Sequence, residues 1–523
     1  MTPLNELLEE YQQWLEPFSD ESTRNNASLD CSSLVRQAAP LTAQLDGLLK
    51  KDELAQWQRL DFEEKRFLRS QNILQNNLAC LIDWRSSQSG LKRLAHFIAA
   101  LLRLHRFHGD RWPILHGLAT AKALTRVENR HFLFLHKGNC WLLQASDGAG
   151  RTANPVQIEN TLYGIVHGQH PDSSDLPFTA YSFVPEQEFQ ALKGQLRHSE
   201  HNREQLELVK DAWFSVALED FHQNDLHDGL IGAAFKDYEN FFSYKPISYC
   251  CNTVDERYFL HSETTWANPE TLAQLLQLTQ DYFDRQDFDR RNELPADLAA
   301  RRLSWQLTPQ LEEHINELLE DYEREADSYY CSNSDLFLTD DARHTLERVG
   351  VQPLLAIAFQ YAQWRNLKTI RSVNGLQWGE LNQRVQLTSR EAIELAEAIA
   401  EEEDDVKDLW QDYVAEYERR LGSENPYRYL QALELLARQK HLDIDFFHSK
   451  HYQEIPCLNI SHNCDLPSLI FLPRGDNAFA LSYQLRRNNI GIWITHRKKR
   501  SYAVQRYCRE VKFALKQLLR LLG

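Results

Sequence analysis

Short apolar runs separated by polar turns predict strand hairpins at three places in the chain. The paired runs cover 131–135 with 140–143, 247–250 with 258–260, and 479–485 with 490–494. The third pair is the clearest, because apolar and polar residues alternate with period two on both sides of Asn488 and Asn489. Long stretches with apolar residues at helical spacing, such as 504–522, lie between and after these hairpins. The pattern therefore predicts a mixed α/β protein.

The second strand of the middle hairpin ends in His261 and Ser262, next to a loop. Downstream, Asn268, Pro269 and Glu270 supply a helix cap, a first-turn proline and an early acidic residue, which predicts a helix. An imidazole at such a strand end is positioned to act, and its ordinary pKa of ~6.5 suits a general base at neutral pH. A lone histidine is more often structural, so both interpretations stay open on these residues alone.

Length and composition predict two hydrophobic cores and restrict the partners. The chain has 523 residues, of which 42% are apolar, and one core rarely serves more than about 300 residues. A formal net charge of -17 disfavours general nucleic-acid binding, because phosphate backbones require clustered cations. An anionic substrate would need a local basic patch on so acidic a protein. We expect the protein to be a monomer.

The sequence predicts neither a membrane span nor a disulfide framework. No stretch approaches the ~20 apolar residues of a membrane helix, and residues 1–10 are acidic rather than like a signal peptide. We therefore expect a cytoplasmic protein. Nine cysteines without a Cys-x-x-Cys pair, including adjacent Cys250 and Cys251, indicate reduced thiols rather than disulfides or zinc.

Three other polar patterns have a simpler interpretation than a binding site. The acidic run 401–405 is typical of a solvated helix face. His222, His227 and Asp228 lack a further ligand at fixed spacing, so no metal is predicted. The basic run 496–500 follows a strand and indicates a solvated turn, although a ligand phosphate is the alternative.

The window around His261 resembles the carnitine/choline acyltransferase family. In that family a catalytic histidine sits in a Glu-His-Ser-type motif and follows a strand of Asn-x-Trp-Phe-Asp-Lys type. Here residues 239–245 are Glu-Asn-Phe-Phe-Ser-Tyr-Lys, and residues 260–262 are Leu-His-Ser. The family's acids before and after the histidine are replaced by Leu260 and Thr265, so the resemblance makes Glu263 the candidate that orients the ring.

Five other stretches extend the resemblance in the same order: 4–44, 112–126, 158–218, 358–365 and 428–483. The resemblance implies two chloramphenicol-acetyltransferase-like domains, each a mixed sheet flanked by helices, with an active-site tunnel between them. The implied halves are 49–303, which carries the histidine, and 1–48 together with 304–523. The family activity is acyl transfer between a thioester and a small acceptor.

The resemblance also implies the catalytic roles. His261 would be a general base that activates the acceptor directly, with no acyl-enzyme. Residues 458–461, Leu-Asn-Ile-Ser, stand where the family has Leu-Ser-Thr-Ser, whose last serine stabilises the oxyanion. Ser461 is therefore the candidate oxyanion donor, and a loop serine that caps backbone is its structural alternative.

Departures from the family pattern bear on the donor and the acceptor. Arg343 and Arg348 are the cations that could replace the family's coenzyme A lysines. Coenzyme A thioester or an acyl carrier protein thioester is expected as co-substrate, with no bound cofactor. The family's carnitine motifs are replaced at 368–369 and 379–381, which argues against carnitine.

Arg428 stands where the family has arginine for an acceptor with a carboxylate. With nearby Asn459, it predicts a small anionic acceptor. A structural pair between Arg428 and an acid such as Glu424 is the alternative. A catalytically silent binding or scaffold protein, and a hydrolytic or condensation reaction of a thioester, also stay open.

Overall fold

The computed structural model describes residues 3–50, 60, 74, 77–108, 131–147, 151–168, 176–263, 269–285, 298–367, 373–378, 382–401, 405–422, 426–453, 458–461, 466–473 and 478–523. The chain divides into two compact units. One comprises Met1–Lys65, Tyr330–Cys464 and Pro473–Gly523, and the other comprises Arg66–Tyr329 and Asp465–Leu472. The family resemblance predicts boundaries at 48/49 and 303/304, whereas the two units have theirs at 65/66, 329/330, 464/465 and 472/473.

The described elements alternate between helices and strands. The helices are Leu4–Leu15, Glu21–Gln37, Ala39–Leu49, Gly90–His108, Pro155–His167, Glu186–Leu196, Glu200–Asp211, Leu226–Ile231, Pro269–Arg285, Pro309–Asp327, Asp340–Val349, Val351–Leu367, Arg390–Glu401, Val406–Gly422, Pro426–Gln439, Lys450–Gln453 and Ser501–Leu522. The strands are β1 (Asn77–Ile82), β2 (His131–His136), β3 (Asn139–Gln144), β4 (Ser215–Glu219), β5 (Ile247–Asn252), β6 (Arg257–Glu263), β7 (Ala300–Leu303), β8 (Tyr329–Phe337), β9 (Val373–Trp378), β10 (Asn382–Gln386), β11 (Leu458–Ser461), β12 (Ile470–Phe471), β13 (Phe479–Leu485) and β14 (Asn489–Arg497). The mixed α/β class is confirmed. Two chloramphenicol-acetyltransferase-like halves with a tunnel stay a prediction of the family resemblance.

The Arg66–Tyr329 unit is built on an eight-stranded mixed sheet. Its strand order is β12-β1-β6-β5-β4-β2-β3-β7. The central strands β2, β4 and β5 run parallel, and every residue of β4 and β5 is buried. Such complete burial is typical of strands covered on both faces.

Helix starts in this unit follow the local sequence. Asn154 caps the helix Pro155–His167 by accepting from the backbone of Gln157, whose side chain accepts in turn from the Asn154 backbone. This reciprocal capping satisfies two amide groups that the helix itself leaves without partners. The proline at the first helical position needs no such partner. Local chemistry therefore fixes where this helix begins.

The predicted middle hairpin is confirmed as β5 and β6. Its register pairs Ser248 with His261 on one side of β6, and Ala79 of β1 with His261 on the other. His261 therefore lies on an interior strand of the sheet, with a paired strand on each side. The helix predicted downstream is confirmed as Pro269–Arg285.

The other unit, which contains Tyr330–Cys464, is built on a six-stranded sheet in the order β10-β9-β11-β13-β14-β8. The predicted hairpin of β13 and β14 is confirmed, and so is the closing helix, Ser501–Leu522. Apolar residues of both pack with the buried helix Val351–Leu367 in one core. A second core joins the three N-terminal helices to Pro426–Gln439. Among the described helices, none combines the length and apolar character that crossing a membrane requires.

Burial decreases toward the end of β13, which yields a test of the core. Leu481 is fully buried in the core of its unit, whereas Leu485 on the same strand is 41% exposed. Leu481→Ala should lower the free energy of unfolding by about 3 kcal/mol, because it removes buried methyl groups and leaves a cavity. Leu485→Ala is the matched control and should change it by less than about 0.5 kcal/mol. Denaturant unfolding measures both, and equal effects would contradict the burial of Leu481 and the exposure of Leu485.

Candidate active site

A π-helical turn organises the surroundings of His261. Helix Leu226–Ile231 continues directly into this turn, Gly232–Lys236, which contacts β1 and β6. Three successive carbonyl oxygens of the turn accept hydrogen bonds from three different elements: Ala233 from His261 Nδ1 at 2.9 Å, Ala234 from Asn77 Nδ2 at 3.3 Å, and Phe235 from Tyr322 Oη at 2.5 Å. The last carbonyls of a helix have no partner within it, and these side chains provide one. One of the three partners is the candidate catalytic histidine.

The bond to Ala233 determines the protonation of the imidazole. A carbonyl oxygen can only accept, so Nδ1 of His261 carries a proton and Nε2 is the basic nitrogen of the neutral ring. The imidazole is fully buried, and the Phe241 ring stacks on it with centroids 4.0 Å apart. The ring is therefore fixed both in orientation and in tautomer.

The residues that follow His261 on β6 are also buried. Ser262 Oγ donates to the Pro246 carbonyl oxygen at 2.9 Å, which ties the strand end to the preceding loop. Glu263 is fully buried and, two residues on, belongs to the same face of the strand as His261. Its orienting role stays a prediction, and the structure adds the Ala233 carbonyl as a partner of the ring.

Lys245, which belongs to the stretch that resembles the family motif, binds the end of a helix. Its ammonium group is buried and donates to the carbonyl oxygens of Lys210 (3.0 Å) and Ala212. Burial lowers the pKa of Lys245 to about 7. These carbonyls end the helix Glu200–Asp211, so Lys245 caps that helix.

Two carboxyl groups lie beneath the π-helical turn. Glu219 ends β4 and accepts from Asn240 Nδ2 at 2.7 Å and Gln223 Nε2 at 2.5 Å. Asp237 directly follows the turn and is hydrogen-bonded to Glu219. Burial raises the pKa of Glu219. Burial and the neighbouring Glu219 charge raise the pKa of Asp237 to about 7.

The Asp237 side chain folds back onto the start of the turn. Its Oδ2 lies 2.0 Å from the position that a Cβ atom would have on Gly232. Its backbone N–H donates to the Gly232 carbonyl at 3.0 Å, which closes the turn. A larger residue at 232 would therefore displace the Asp237 carboxyl group from this position.

The predicted oxyanion and acceptor residues lie on the other unit. Ser461 and Asn459 are on β11, where Ser461 pairs in register with Ser482 of β13. The side chains of Ser461 and Asn459 lie outside the described part of the chain. Arg428 is in the first turn of helix Pro426–Gln439 and is partly buried, while Glu424 lies outside the described residues. The roles of these residues stay predictions.

The two arginines proposed for the donor differ in their surroundings. Arg348 lines a cavity of about 830 Å³ next to His344, Lys516 and Arg520. Its guanidinium donates to the Leu522 carbonyl oxygen. Arg343, on the same helix, lies 3.8 Å from Asp340 and 3.7 Å from Glu347. A local basic patch, which an anionic ligand requires in so acidic a protein, is thus present around Arg348.

The other polar patterns have local contacts. His222 pairs with Asp255 at 3.0 Å and His227 with Asp225 at 3.5 Å. Within the described residues, no group of His, Cys, Asp and Glu is arranged to hold a metal ion. Of the basic run 496–500, His496 and Arg497 belong to β14 and His496 is buried. Lys498–Arg500 form a 3-10 turn with no buried residue. Residues 402–404 of the acidic run lie outside the described part.

The residues that hold the π-helical turn were not predicted from the sequence. Asn77 and Tyr322 are far from the turn along the chain, Asp237 directly follows it, and no local motif joins the three to His261. One signal was available: the stretch 229–237, Gly-Leu-Ile-Gly-Ala-Ala-Phe-Lys-Asp, places two glycines in a helical pattern, where glycine is unfavourable. Glycine in a helical pattern often marks a close approach, and Gly232 does.

Comparison with known proteins identifies a family. The sequence model described as Choline/Carnitine o-acyltransferase matches residues 107–373, just over half of the chain. This segment contains His261, Glu263, Arg343 and Arg348. No curated protein matches the chain significantly.

Several solved structures are similar in part. Trichothecene 15-O-acetyltransferase TRI3 from Fusarium sporotrichioides is 11% identical, with a TM-score of 0.42 over 87% of this chain and 94% of that one. The X-domain from teicoplanin biosynthesis is 12% identical, with a TM-score of 0.34 over 88% and 94%. Wax ester synthase/diacylglycerol acyltransferase from Marinobacter aquaeolei VT8 is 11% identical, with a TM-score of 0.30 over 59% and 80%. With TM-scores below 0.5, these similarities do not establish a shared fold.

The raised pKa of Asp237 predicts a pH dependence of stability. An unfolded aspartate titrates near ~3.9, whereas folded Asp237 does so at about 7. The folded state therefore holds an extra proton between these values, and stability falls as pH rises through this window. Across this window, ionisation of Asp237 should lower the free energy of unfolding by about 2 kcal/mol. This is less than the full pKa shift implies, since Asp237 and Glu219 titrate together.

Asp237→Asn should remove that part of the pH dependence, because the amide cannot ionise but can still donate to Glu219. Denaturant unfolding at a series of pH values measures it. Asp327→Asn, an exposed carboxylate that pairs with Lys236 of the same turn, is the control and should keep the wild-type slope. An unchanged slope in Asp237→Asn would show that Asp237 ionises normally.

Proposed function

This chain belongs to the choline/carnitine O-acyltransferase family, and from that premise we propose that it transfers an acyl group from a thioester to a small anionic acceptor. The acceptor group is a hydroxyl or an amine. The observation that carries the proposal is the bond from His261 Nδ1 to the Ala233 carbonyl, which leaves Nε2 as the basic nitrogen. A general base needs that tautomer held in advance.

In the proposed reaction, Nε2 of His261 removes the proton of the acceptor as its oxygen or nitrogen attacks the thioester carbonyl. The tetrahedral intermediate carries a negative oxygen, to which the Ser461 hydroxyl donates. A preorganised donor of this kind is typically worth ~3 to 4 kcal/mol. The intermediate collapses, the carbon–sulfur bond breaks, and the departing thiolate takes the proton from the imidazolium. No acyl-enzyme forms, and Glu263 assists in orienting the ring.

The donor in this proposal is a thioester of coenzyme A or of an acyl carrier protein. The cavity beside Arg348 supports a phosphate-bearing donor, because Lys516 and Arg520 line the same space. Arg343 has weaker support, since its neighbours are the carboxylates of Asp340 and Glu347. The two chloramphenicol-acetyltransferase-like halves and their tunnel belong to the same proposal.

The acceptor is proposed to carry an acidic group that Arg428 and Asn459 bind. A guanidinium in a partly desolvated site favours a carboxylate or phosphate, and can bind either in a bidentate manner. Carnitine is not the proposed acceptor, because the family's carnitine motifs are replaced at 368–369 and 379–381.

Thiol release from a panel of acyl-coenzyme A and acyl-carrier donors, incubated with a pool of hydroxyl and amine acceptors, tests the activity. His261→Ala should reduce the rate at least ~100-fold, the usual contribution of a general base. His261→Gln should do the same with less disturbance, because its amide can still donate to Ala233. His136→Gln, a buried histidine of β2 paired with Asp220, is the matched control and should retain the rate.

Full activity in both His261 variants would exclude histidine base catalysis. If no thioester is consumed or bound by the wild type, the alternative of a catalytically silent binding protein replaces the proposal. Thiol release without any acceptor would instead indicate hydrolysis. Each outcome selects a different reaction class.

A second prediction concerns the acceptor site. Arg428→Asn should raise the Michaelis constant of the acceptor much more than that of the donor, since the cation that binds the acidic group is lost. It should also shift preference toward neutral or cationic acceptors. Steady-state kinetics with both substrates varied measures this. Equal effects on both constants would assign Arg428 to structure, and the acyltransferase proposal would stand.

A further inference from the structure

We infer that Asp237 is a positioning residue for His261: hydrogen-bonded to Glu219 and folded over Gly232, it holds the π-helical turn whose Ala233 carbonyl orients the imidazole. Asp237 acts on the ring through the backbone of the turn. As a statement about catalysis this inference rests on the proposed function. As a statement about the orientation of the ring, it can be tested without any activity.

The geometry of the turn links it to Asp237. A π-helical turn is rare, occurs as a single turn, and is frequent at functional sites. Here Asp237 closes the turn through the bond from its backbone N–H to the Gly232 carbonyl. Its carboxyl group lies against Gly232, in space that any other residue at 232 would fill. Asp237 directly follows the last residue of the turn and makes both of these contacts with its first residue, Gly232.

The hydrogen bonds of Glu219 indicate which of the two carboxyl groups, Glu219 or Asp237, carries a proton. Glu219 accepts from the amides of Asn240 and Gln223, as an ionised carboxylate does. A further hydrogen bond between Glu219 and Asp237 then requires the proton to be on Asp237, which donates. Both carboxyl groups ionised would repel each other at close range. The protonated Asp237 is thus the form that the structure accommodates.

Other titratable groups face this pair from the surrounding elements. They are Lys236, Tyr238 and Glu239 on the same segment, Cys250 and Cys251 on β5, and Tyr322 on the helix Pro309–Asp327. Among them Lys236 is a cation, and it pairs with Asp327 at 2.9 Å. The opposing influences on Asp237 are thus Glu219 and Glu239, which favour its protonation, and Lys236, which favours its ionisation.

The consequence is a link between one proton and the tautomer of His261. With Asp237 protonated, the turn is held and Ala233 keeps the proton of the imidazole on Nδ1. With Asp237 ionised, repulsion from Glu219 displaces its carboxyl group from Gly232 and loosens the turn. The ring then loses a fixed partner, and the Nε2–H tautomer becomes populated. The change should follow the Asp237 pKa of about 7.

The experiment observes the imidazole directly. Full-length protein labelled with ¹⁵N-histidine is examined by long-range ¹⁵N–¹H correlation across a pH series, and the His261 signals are assigned by their loss in His261→Gln. This method distinguishes the two neutral tautomers from each other and from the protonated ring. Wild-type His261 should show the Nδ1–H tautomer below pH of about 7 and a mixture above it.

Three variants separate the roles of the groups. Asp237→Asn, which donates to Glu219 at every pH, should keep the Nδ1–H tautomer on both sides of that midpoint. Asp237→Ala should give the mixture throughout. If the proposed function holds, Asp237→Ala should also reduce kcat roughly tenfold to a hundredfold with an unchanged Michaelis constant, the usual result of a displaced catalytic group. Gly232→Ala should resemble Asp237→Ala, because the new methyl group displaces the carboxyl. Asp327→Asn is the control and should behave as wild type.

Retention of the Nδ1–H tautomer by Asp237→Ala over the whole pH series would overturn the inference. The same holds if Asp237→Asn and the wild type show identical pH dependence. Tautomer changes as expected, in a protein that transfers no acyl group, would support the positioning role and reject the proposed function. The two ideas therefore fail separately.

Discussion

The hydrogen bond from His261 Nδ1 to the Ala233 carbonyl is the interaction on which the candidate site depends. It joins the strand that carries the histidine to a turn 28 residues earlier in the chain. Because a carbonyl only accepts, the bond selects one neutral tautomer of the imidazole and leaves the other nitrogen basic. A role of His261 as a general base depends on this tautomer, because the proton must be accepted by Nε2.

The carbonyl is available because the helix before it ends in a π-helical turn. A regular α-helix would bond its carbonyls to amides four residues on, whereas here three in succession accept from side chains of β6, β1 and the helix Pro309–Asp327. The turn is therefore tied to three elements, and movement of it would disturb all three bonds. A buried imidazole in such a setting has little freedom, which suits a preorganised base.

Acidic and basic side chains are concentrated at different places in the protein. The chain is strongly acidic, and two of its carboxyl groups are buried together beneath the turn that holds the histidine. Burial and mutual repulsion keep a proton there at a pH where aspartate is normally ionised. Three cations, by contrast, line the cavity beside Arg348, together with Asp341: Arg348, Lys516 and Arg520.

Local patterns of the sequence determine much of the fold. The hairpins of β5–β6 and β13–β14 and the helix Ser501–Leu522 follow from strand alternation and helical spacing, because side-chain period and burial are linked within one element. The family resemblance singles out His261 in the same way, from neighbours in sequence.

The partners of His261 follow no such pattern. Ala233 contributes a backbone atom, which carries no side-chain signature, and Asn77 and Tyr322 reach the same turn only through the packing of distant elements. Asp237 follows the turn directly, but its partner Glu219 lies on β4. The sequence by itself therefore determined which residues form strands and which histidine lies near the end of one of them. Only the tertiary structure decided its tautomer and the proton beneath it, because both depend on contacts between elements whose separation along the chain has no periodicity.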